Sequence, residues 1–360
     1  MGRRIAVLGA GAIGGSIGAY LTKEGHDVTL IDQWPEHVDR MKGDGLRLVD
    51  LKQDFTVPVK ALHLCEVSSV QEPFDVVFLS VKSYDTLWSA YFIEPYLSPT
   101  GFVLPAQNAM NDEVVAGVVG FNRTVGCVVT ISAGVYEPGK IIRTDPLTLH
   151  AFTVGELSGV VTPRVREMAD ALSVVGPSEV TSNIWGARWS KMVGNCMANA
   201  LSGLLGPAAS ALSPEQQELA GLIRAVTGSE VARVAQAQGV TVEPVSGIPA
   251  EEFAEATTAD AVRGLKARLA EASAPRRLSP EQIRRLGVPG RPSLLQDVIK
   301  GRRTEVDYLN GYVVKKGEEV GVPTPMNRAI VDLMRKVETG ELKPDPANLK
   351  RLEPYLPAFR

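Results

Sequence analysis

The chain has 360 residues, of which 44% are hydrophobic and 22% are charged, and its 38 basic and 41 acidic side chains give a net charge of −3. This composition is typical of a globular protein and excludes a disordered or fibrous chain. The slight acidic excess argues against a nucleic-acid or membrane-surface protein, since both need a basic patch, and no apolar run approaches the ~20 residues of a membrane span.

The first half of the chain alternates strand-like and helix-like segments. Apolar residues at i, i+4, i+7 and i+8 from Ile13 predict a helix that ends at Gly25. Short apolar runs predict strands at residues 4–8, 28–31, 46–49, 54–59, 76–81, 101–104 and 125–131. This alternation predicts a β-α-β sheet domain.

Helical periodicity dominates after about residue 183. The predicted helices span residues 185–205, 214–238, 250–272 and 303–317. Residues 274–292 contain four prolines and several arginines, which predicts an exposed connection inside this second domain. We therefore expect an α/β domain at residues 1–182, followed by an all-helical domain at residues 183–360.

Cysteine and histidine are too few and too scattered for a disulfide framework or a metal centre. An odd number of cysteines without C-x-x-C spacing fits a reducing compartment, so we expect a cytoplasmic protein. No H-x-x-x-H pair occurs, which predicts that no metal ion is bound. The residues concerned are Cys65, Cys127, Cys196, His26, His37, His63 and His150.

A glycine motif follows the first predicted strand and opens the first predicted helix. Glycines in a G-x-G-x-x-G turn let the backbone approach a pyrophosphate that rests on the helix N-terminus. Asp32 ends the second strand 23 positions after Gly9, near the ~20 expected of a carboxylate that holds a ribose. The motif therefore predicts that residues 1–182 form a Rossmann-type dinucleotide-binding domain. Its predicted dinucleotide-binding residues are Gly9, Gly11, Ala12, Ile13 and Gly14.

A polar stripe crosses an otherwise apolar helix in the second half. Lys191, Asn195 and Asn199 lie at i, i+4 and i+8, a line of about 12 Å at ~1.5 Å rise per residue. Buried amides need hydrogen-bond partners, so the stripe either bonds to protein groups or lines a cavity for a polar ligand. A partly desolvated lysine is a suitable proton donor there, because burial lowers the pKa of a lysine.

Two polar residues near the C-terminal end have structural explanations on local grounds. Ser293 and Gln296 fit an S-x-x-Q capping box. Glu305 fits a first-turn carboxylate on a helix that begins near Thr304. Neither spacing by itself predicts a catalytic role.

Five blocks, taken in order, resemble the ketopantoate reductase (2-dehydropantoate 2-reductase) family. The blocks are GAGAIGG at Gly9–Gly15, SVKSYDT around Lys82, PAQNAM around Asn108, WSKMVGNCMAN around Lys191, and SLLQDVIKGRRTEVDYLNG from Ser293. The resemblance implies a nicotinamide cofactor on the first domain and a helical second domain similar to that of 6-phosphogluconate dehydrogenase. It also implies an active site in the cleft between them.

The resemblance assigns roles to individual residues. Lys191 matches the general acid, and Glu305 matches the carboxylate that holds the hydroxyl or the lysine. Substrate-binding positions are matched by Asn195, Asn199 and Ser293, with Asp297 in a supporting role. Lys82 and Asn108 match cofactor-binding residues near the nicotinamide and its ribose.

Departures from the family pattern concern the cofactor and the chain length. The family commonly has Gln-Asn-Gly-Met-Gly where this chain has Gln107–Asn111, and a strand-end arginine for NADPH where this chain has Asp32. We therefore expect NADH/NAD to be preferred, with NADPH as the alternative. Residues 249–292 form a longer segment than usual, and the C-terminal tail is extended.

The expected function is hydride transfer between a nicotinamide cofactor and a 2-oxo/2-hydroxy acid, by default ketopantoate to pantoate. One alternative keeps the Lys191/Glu305 pair in an NAD-dependent catabolic dehydrogenase of another branched hydroxy acid. A second is a non-catalytic NAD(H)-sensing protein, although a sensor has no need of a proton donor. The expected partner is a small-molecule acid, without nucleic acid or membrane, and a homodimer stays open.

Overall fold

The structure is a computed structural model that describes residues 2–272 and 278–358. Contacts divide the chain into two units. The first comprises the described residues within Met1–Ile184 and Arg277–Gly290, and the second those within Trp185–Arg276 and Arg291–Arg360.

Strands and helices alternate in the first unit, as the apolar periodicity predicts. In chain order its elements are β1 (Arg4–Leu8), α1 (Ala12–Lys23), β2 (Asp27–Asp32), α2 (Pro35–Asp44), β3 (Leu46–Val49), β4 (Asp54–Val57), β5 (Lys60–His63), β6 (Phe74–Leu79), α3 (Thr86–Ile93), β7 (Leu97–Pro105), α4 (Asp112–Val119), β8 (Val125–Val129), β9 (Ala133–Glu137), β10 (Lys140–Arg143), β11 (Phe152–Glu156), α5 (Pro163–Leu172) and β12 (Ser178–Val180).

Five of these strands form a parallel sheet in the order β5-β2-β1-β6-β7. Side chains alternate between its two faces: Ile5 and Val7 pack into one apolar core, and Ala6 and Leu8 pack into another. Both faces are buried, which explains the nearly continuous apolar runs in the sequence. The strand order reverses beside β1, so the loops after β1 and β6 border the crevice where α/β sheets bind ligands.

Two smaller sheets complete the first unit. Their orders are β4-β3-β10-β9 and β12-β11-β8. The Rossmann-type α/β fold is confirmed. Strands β9 to β12 were not predicted, because short runs such as Lys140–Arg143 mix charged and apolar residues and give little period-2 signal.

Residues 278–290 pack with the first unit rather than with the helical one. Here α10 (Pro280–Leu286) begins at a capping box in which Ser279 accepts the Gln282 amide. Leu286 is buried against Val49 and Ile142, and the Arg285 guanidinium donates to the Asp50 carbonyl at 3.1 Å. Residues 278–290 are mostly exposed, as predicted, but the prediction that they lie inside the second domain was wrong, because they group with the first unit through the buried Leu286.

Helices make up the second unit. They are α6 (Ile184–Leu205), α7 (Pro214–Ala237), α8 (Ala250–Glu255), α9 (Ala259–Ala272), α11 (Ser293–Ile299), α12 (Asn310–Val320) and α13 (Pro325–Glu338). Residues predicted as one helix at 250–272 form two, because the chain leaves the helix after Glu255 and re-enters it at Ala259. The predicted helix at 303–317 begins only at Asn310.

A buried carboxylate joins two helices of the second unit. Glu230 on α7 accepts the backbone N–H groups of Met326 and Asn327, each at 2.9 Å, at the start of α13. Burial raises the pKa of Glu230, against the lowering effect of these bonds. The carboxylate thus satisfies amides that a helix N-terminus leaves without intrahelical partners.

An ion pair with a buried carboxylate, in the first unit, makes the stability of the fold depend on pH. The carboxylate of Glu156, on β11, accepts two bonds from Arg164, at 2.7 and 2.6 Å, and one from Thr162. Burial favours the protonated acid, but these bonds outweigh it and lower the pKa of Glu156. Because the pKa of Glu156 is lower in the folded protein, the pair stabilises the fold fully at pH values above the unfolded-state pKa of about 4.3. This stabilisation is lost as the pH falls through the folded-state pKa of Glu156.

We therefore expect Glu156→Gln to lower the free energy of unfolding by about 1–3 kcal/mol at pH 7, because an Arg164 donor then faces an amide. The deficit relative to the parent protein should shrink as denaturant titrations move below pH 4. The matched control is Glu167→Gln, which breaks the exposed pair with Arg3 and should cost no more than about 1 kcal/mol. Equal losses in both variants would contradict the prediction.

Candidate functional site

The glycine motif forms the turn between β1 and α1. Gly9 has φ +93°, and a Cβ there would lie 2.7 Å from the Val81 backbone nitrogen. A Cβ on Gly14 would lie 2.1 Å from the Gly9 carbonyl oxygen. Both positions therefore require glycine, one for the tight turn and one for helix-to-strand packing.

Gly11 differs from the other two glycines. It is the N-cap of α1, and a Cβ built on it would meet no described atom within 4 Å. Ala12 and Ile13 follow as the first helical residues, half-buried, with amides that the helix itself does not use. This open side of a helix N-terminus fits a dinucleotide pyrophosphate, which binds through close backbone approach.

Asp32 ends β2 at the same edge of the sheet. Its Oδ1 accepts the Trp34 backbone N–H at 2.9 Å, which fixes the side chain at the strand end. The residue is half-buried. This position suits a carboxylate that holds ribose hydroxyls.

Three basic side chains on the elements next to Asp32 are each paired with a carboxylate. Arg40 and Lys42 lie on α2, and His63 is the partner of Asp32 in β5. Their salt bridges are Arg40–Asp44 at 2.6 Å, Lys42–Glu66 at 2.6 Å and His63–Asp39 at 2.9 Å.

Lys82 and Asn108 lie in the loops after β6 and β7, two neighbouring strands of the parallel sheet. Both residues are half-buried. Hydrogen bonds from two side-chain amides, which the sequence did not predict, join the two loops. The Gln107 amide donates to the Val81 carbonyl (2.6 Å) and the Thr86 hydroxyl (2.9 Å), and the Asn111 amide donates to the Ser83 hydroxyl (3.0 Å) and the Asn108 carbonyl (2.8 Å).

Ala109 has φ +66°, in the left-handed region that favours glycine. Ala109 occupies the position of the first glycine in the family's Gln-Asn-Gly-Met-Gly block. Asn111 stands at the second, and its side chain holds the turn closed through the Asn108 carbonyl. The loop therefore keeps a left-handed conformation with a residue that is strained in it.

We expect Ala109→Gly to raise the free energy of unfolding by about 0.5–1 kcal/mol, because the strain it relieves exceeds the entropy that glycine loses. The control is Ala116→Gly within α4, which should lower the free energy by about 1 kcal/mol. Urea titrations of both variants give the comparison. A loss of stability in Ala109→Gly would show that the backbone bears no strain there.

The polar stripe lies on α6, in the second unit. Asn195 and Asn199 are buried, at 7% and 8% exposure, and Lys191 is half-buried. Burial raises the pKa of the Cys196 thiol, so this helix offers no thiolate nucleophile. The stripe therefore consists of a half-buried lysine followed, one and two helical turns later, by two buried side-chain amides.

Glu305 lies in a turn before α12 rather than in the first turn of a helix. The backbone N–H groups of Tyr308 and Leu309 both bond to its carbonyl at 3.0 Å, and the residue is buried. Asn310, at the start of α12, donates to the Cys196 carbonyl of α6 at 3.3 Å. This bond holds the turn against the helix that carries the polar stripe.

Ser293 is the first residue of α11, and Pro292 occupies the N-cap position. The predicted capping box was wrong, because the Gln296 amide instead donates to the Arg291 carbonyl at 3.0 Å. Among the described residues, the buried Ser293 hydroxyl has no hydrogen-bond partner. Asp297, one turn further along α11, is buried.

Within residues 2–272 and 278–358, no group of three or more His, Cys, Asp or Glu side chains is arranged to hold a metal ion. None of the helices described is both long and apolar enough to cross a membrane.

Comparison with known proteins identifies the family. The family models described as "Ketopantoate reductase PanE/ApbA" and "Ketopantoate reductase PanE/ApbA C terminal" match residues 5–159 and 183–338. A 2-dehydropantoate 2-reductase of Archaeoglobus fulgidus is 28% identical over 94% of this chain and 99% of its own.

Two solved structures are also similar. A PanE/ApbA family ketopantoate reductase from Ralstonia eutropha JMP134 is 28% identical with a TM-score of 0.72, over 94% of this chain and 99% of its own. A D-mandelate dehydrogenase with NADH and anilino(oxo)acetate is 24% identical with a TM-score of 0.73 over the same shares. The chain belongs to the ketopantoate reductase family and is an NAD(P)-dependent oxidoreductase that acts on CH–OH groups.

Proposed function

We propose that the protein reduces ketopantoate to pantoate and uses NADH as its preferred hydride donor. The observation that carries the proposal is the stripe on α6, where Asn195 and Asn199 are buried in line with Lys191. Each side-chain amide can both donate and accept hydrogen bonds. A small acid with hydroxyl groups offers acceptors and donors that match these amides.

Two residues of the second unit act on the reacting carbonyl in this proposal. A nicotinamide cofactor held by the first unit would supply the hydride that reduces the substrate at C2. Lys191 donates a proton from Nζ to the carbonyl oxygen that becomes the hydroxyl. The Glu305 carboxylate accepts a hydrogen bond from that hydroxyl or from the lysine.

The other polar groups orient the substrate. Asn195, Asn199 and Ser293 bind its carboxylate and its hydroxyls, and Asp297 supports Ser293 from the next turn of α11. The unpaired hydroxyl of Ser293 supports this assignment, since a buried hydroxyl without a protein partner is suited to a ligand.

The cofactor part of the proposal depends on the first unit. Gly9, Gly11, Ala12, Ile13 and Gly14 hold the pyrophosphate, and Asp32 holds the adenosine ribose. Lys82 and Asn108 bind near the nicotinamide and its ribose. The division into a cofactor domain at 1–182 and a substrate domain at 183–360 belongs to the same proposal.

The experiment compares two acids that differ by one hydroxyl group. Ketopantoate and 3,3-dimethyl-2-oxobutanoate share the branched carbon, but only the first has the terminal hydroxyl. We expect kcat/KM to be at least about tenfold higher for ketopantoate, because the other acid leaves a buried polar group unpaired. In Asn199→Ala this preference should largely disappear.

The alternative function has an opposite signature in the same assay. An NAD-dependent dehydrogenase of another branched hydroxy acid would oxidise its own substrate faster than pantoate and would not rescue a pantothenate auxotroph. The NADH-bound D-mandelate dehydrogenase makes benzoylformate the first alternative acid to assay. A preference for benzoylformate over ketopantoate would replace the proposed substrate and leave the reaction class unchanged.

Assembly as a homodimer is also part of the proposal. Light scattering tests it against the chain mass of 38.6 kDa.

A further inference from the structure

We propose that His37 is a positioning residue for the dinucleotide. It orients the peptide between Ala10 and Gly11 so that the Gly11 N–H faces the pyrophosphate. His37 lies on α2, is 1% exposed, and belongs to no block that resembles the family. The inference concerns the pyrophosphate and therefore holds for NADH and NADPH alike.

The two hydrogen bonds of the imidazole determine its tautomer. The Gly139 backbone N–H, in the turn between β9 and β10, donates to Nδ1 at 2.8 Å. Nδ1 must then be unprotonated, so the ring proton is on Nε2. Nε2 lies 3.0 Å from the Ala10 carbonyl oxygen and donates to it.

This second bond fixes the direction of an amide in the glycine turn. No cis peptide bond occurs among the described residues, so the Ala10 carbonyl and the Gly11 N–H point in opposite directions. Because His37 holds the carbonyl toward the protein interior, the Gly11 N–H points away from it. Gly11 is also the position with no described atom within 4 Å of a built Cβ.

A fixed peptide matters here because glycines flank Ala10. The peptide between Ala10 and Gly11 turns about ψ of Ala10 and φ of Gly11, and the glycine tolerates a wide range of φ, so its side of the rotation meets little steric resistance. A rotated peptide would present a carbonyl oxygen to the pyrophosphate in place of an N–H group. His37 prevents that rotation.

His37 also contacts the strand end that holds the ribose. The Trp34 indole stacks on the imidazole, with ring centroids 5.3 Å apart and planes 15° from parallel. The backbone N–H of Trp34 donates to Asp32. The imidazole therefore links the turn that binds the pyrophosphate to the turn that places Asp32.

Two substitutions of His37 distinguish the hydrogen bond made by Nε2 from the one made by Nδ1. In His37→Gln the side-chain NH2 stands as many bonds from Cα as Nε2 does, so it can still donate to Ala10. In His37→Asn the side-chain oxygen replaces Nδ1, so the bond to Gly139 survives and the bond to Ala10 is lost. His26→Gln, at an exposed turn, is the matched control.

The probe is ADP-ribose, which has the pyrophosphate but no nicotinamide, measured by calorimetry. We expect His37→Asn to weaken its binding by about tenfold or more, since a buried carbonyl loses its donor, and His37→Gln to stay within about threefold of the parent. kcat at saturating NADH should change less than twofold in both. Parent-like binding in His37→Asn, or equal losses in the two variants, would overturn the proposal.

A measurement on the unmodified protein covers the case in which His37→Asn does not fold. Nitrogen-15 spectra should show His37 protonated at Nε2 and bare at Nδ1, and ADP-ribose should shift the Gly11 amide proton downfield. A proton on Nδ1, or a Gly11 amide that does not respond to ADP-ribose, would contradict the proposal.

Discussion

Lys191→Ala should lower kcat by about 10²- to 10⁴-fold while NADH binding is retained. Loss of a general acid has this cost because the developing alkoxide must then take its proton from water. Dinucleotide binding should survive because the glycine turn and Asp32 belong to the first unit, whereas Lys191 lies on α6 of the second. The measurements are steady-state kcat with ketopantoate and the Kd for NADH.

Two further variants separate proton donation from charge and from helix stability. Lys191→Arg keeps the positive charge but makes a very weak acid, so its kcat should stay close to that of Lys191→Ala. Lys336→Ala removes an exposed lysine near the end of α13 and should leave kcat unchanged. A Lys191→Ala variant with more than half of the parent activity would remove Lys191 from the mechanism.

The first unit could be predicted well because its signals are local. Buried parallel strands require apolar runs on both faces, and the glycine turn requires residues that lack a Cβ, so both leave their mark within a few positions. Gly9, Gly14 and Asp32 therefore lie where the sequence places them. The link between them through His37 could not be predicted, because its partners are 27 and 102 positions away.

The second unit shows what local patterns cannot decide. Ser293 and Gln296 have capping-box spacing, yet the helix begins one residue early and leaves the serine hydroxyl unpaired. Glu305 was expected in a first helical turn, but Asn310 bonds to the Cys196 carbonyl and α12 starts there. A local bond from Gln296 to the Arg291 carbonyl replaces the capping box of α11, and a tertiary bond lies at the start of α12. Hydrophobic periodicity records neither bond.

The second large effect is on cofactor choice: the enzyme should prefer NADH to NADPH by at least tenfold in kcat/KM. The Asp32 carboxylate can accept hydrogen bonds from both ribose hydroxyls, whereas a 2′-phosphate would bring a charge of about −1.5 to −2 against it. At an effective dielectric near 20, two unit charges 4 Å apart repel by about 4 kcal/mol. Water and salt reduce this cost, and a tenfold preference needs only about 1.4 kcal/mol.

The neighbouring cations Arg40 and Lys42 are already paired with carboxylates, Asp44 and Glu66, so neither offsets that repulsion without leaving its partner. Asp32→Asn tests the charge alone, because its amide oxygen can still accept the Trp34 N–H. We expect this variant to lose most of the NADH preference through a gain with NADPH, with little change in thermal stability. The measurement is kcat/KM for both cofactors on one substrate at fixed ionic strength. A parent enzyme that favours NADPH tenfold would mean that Asp32 does not face the ribose and that one of the paired cations leaves its carboxylate for the phosphate.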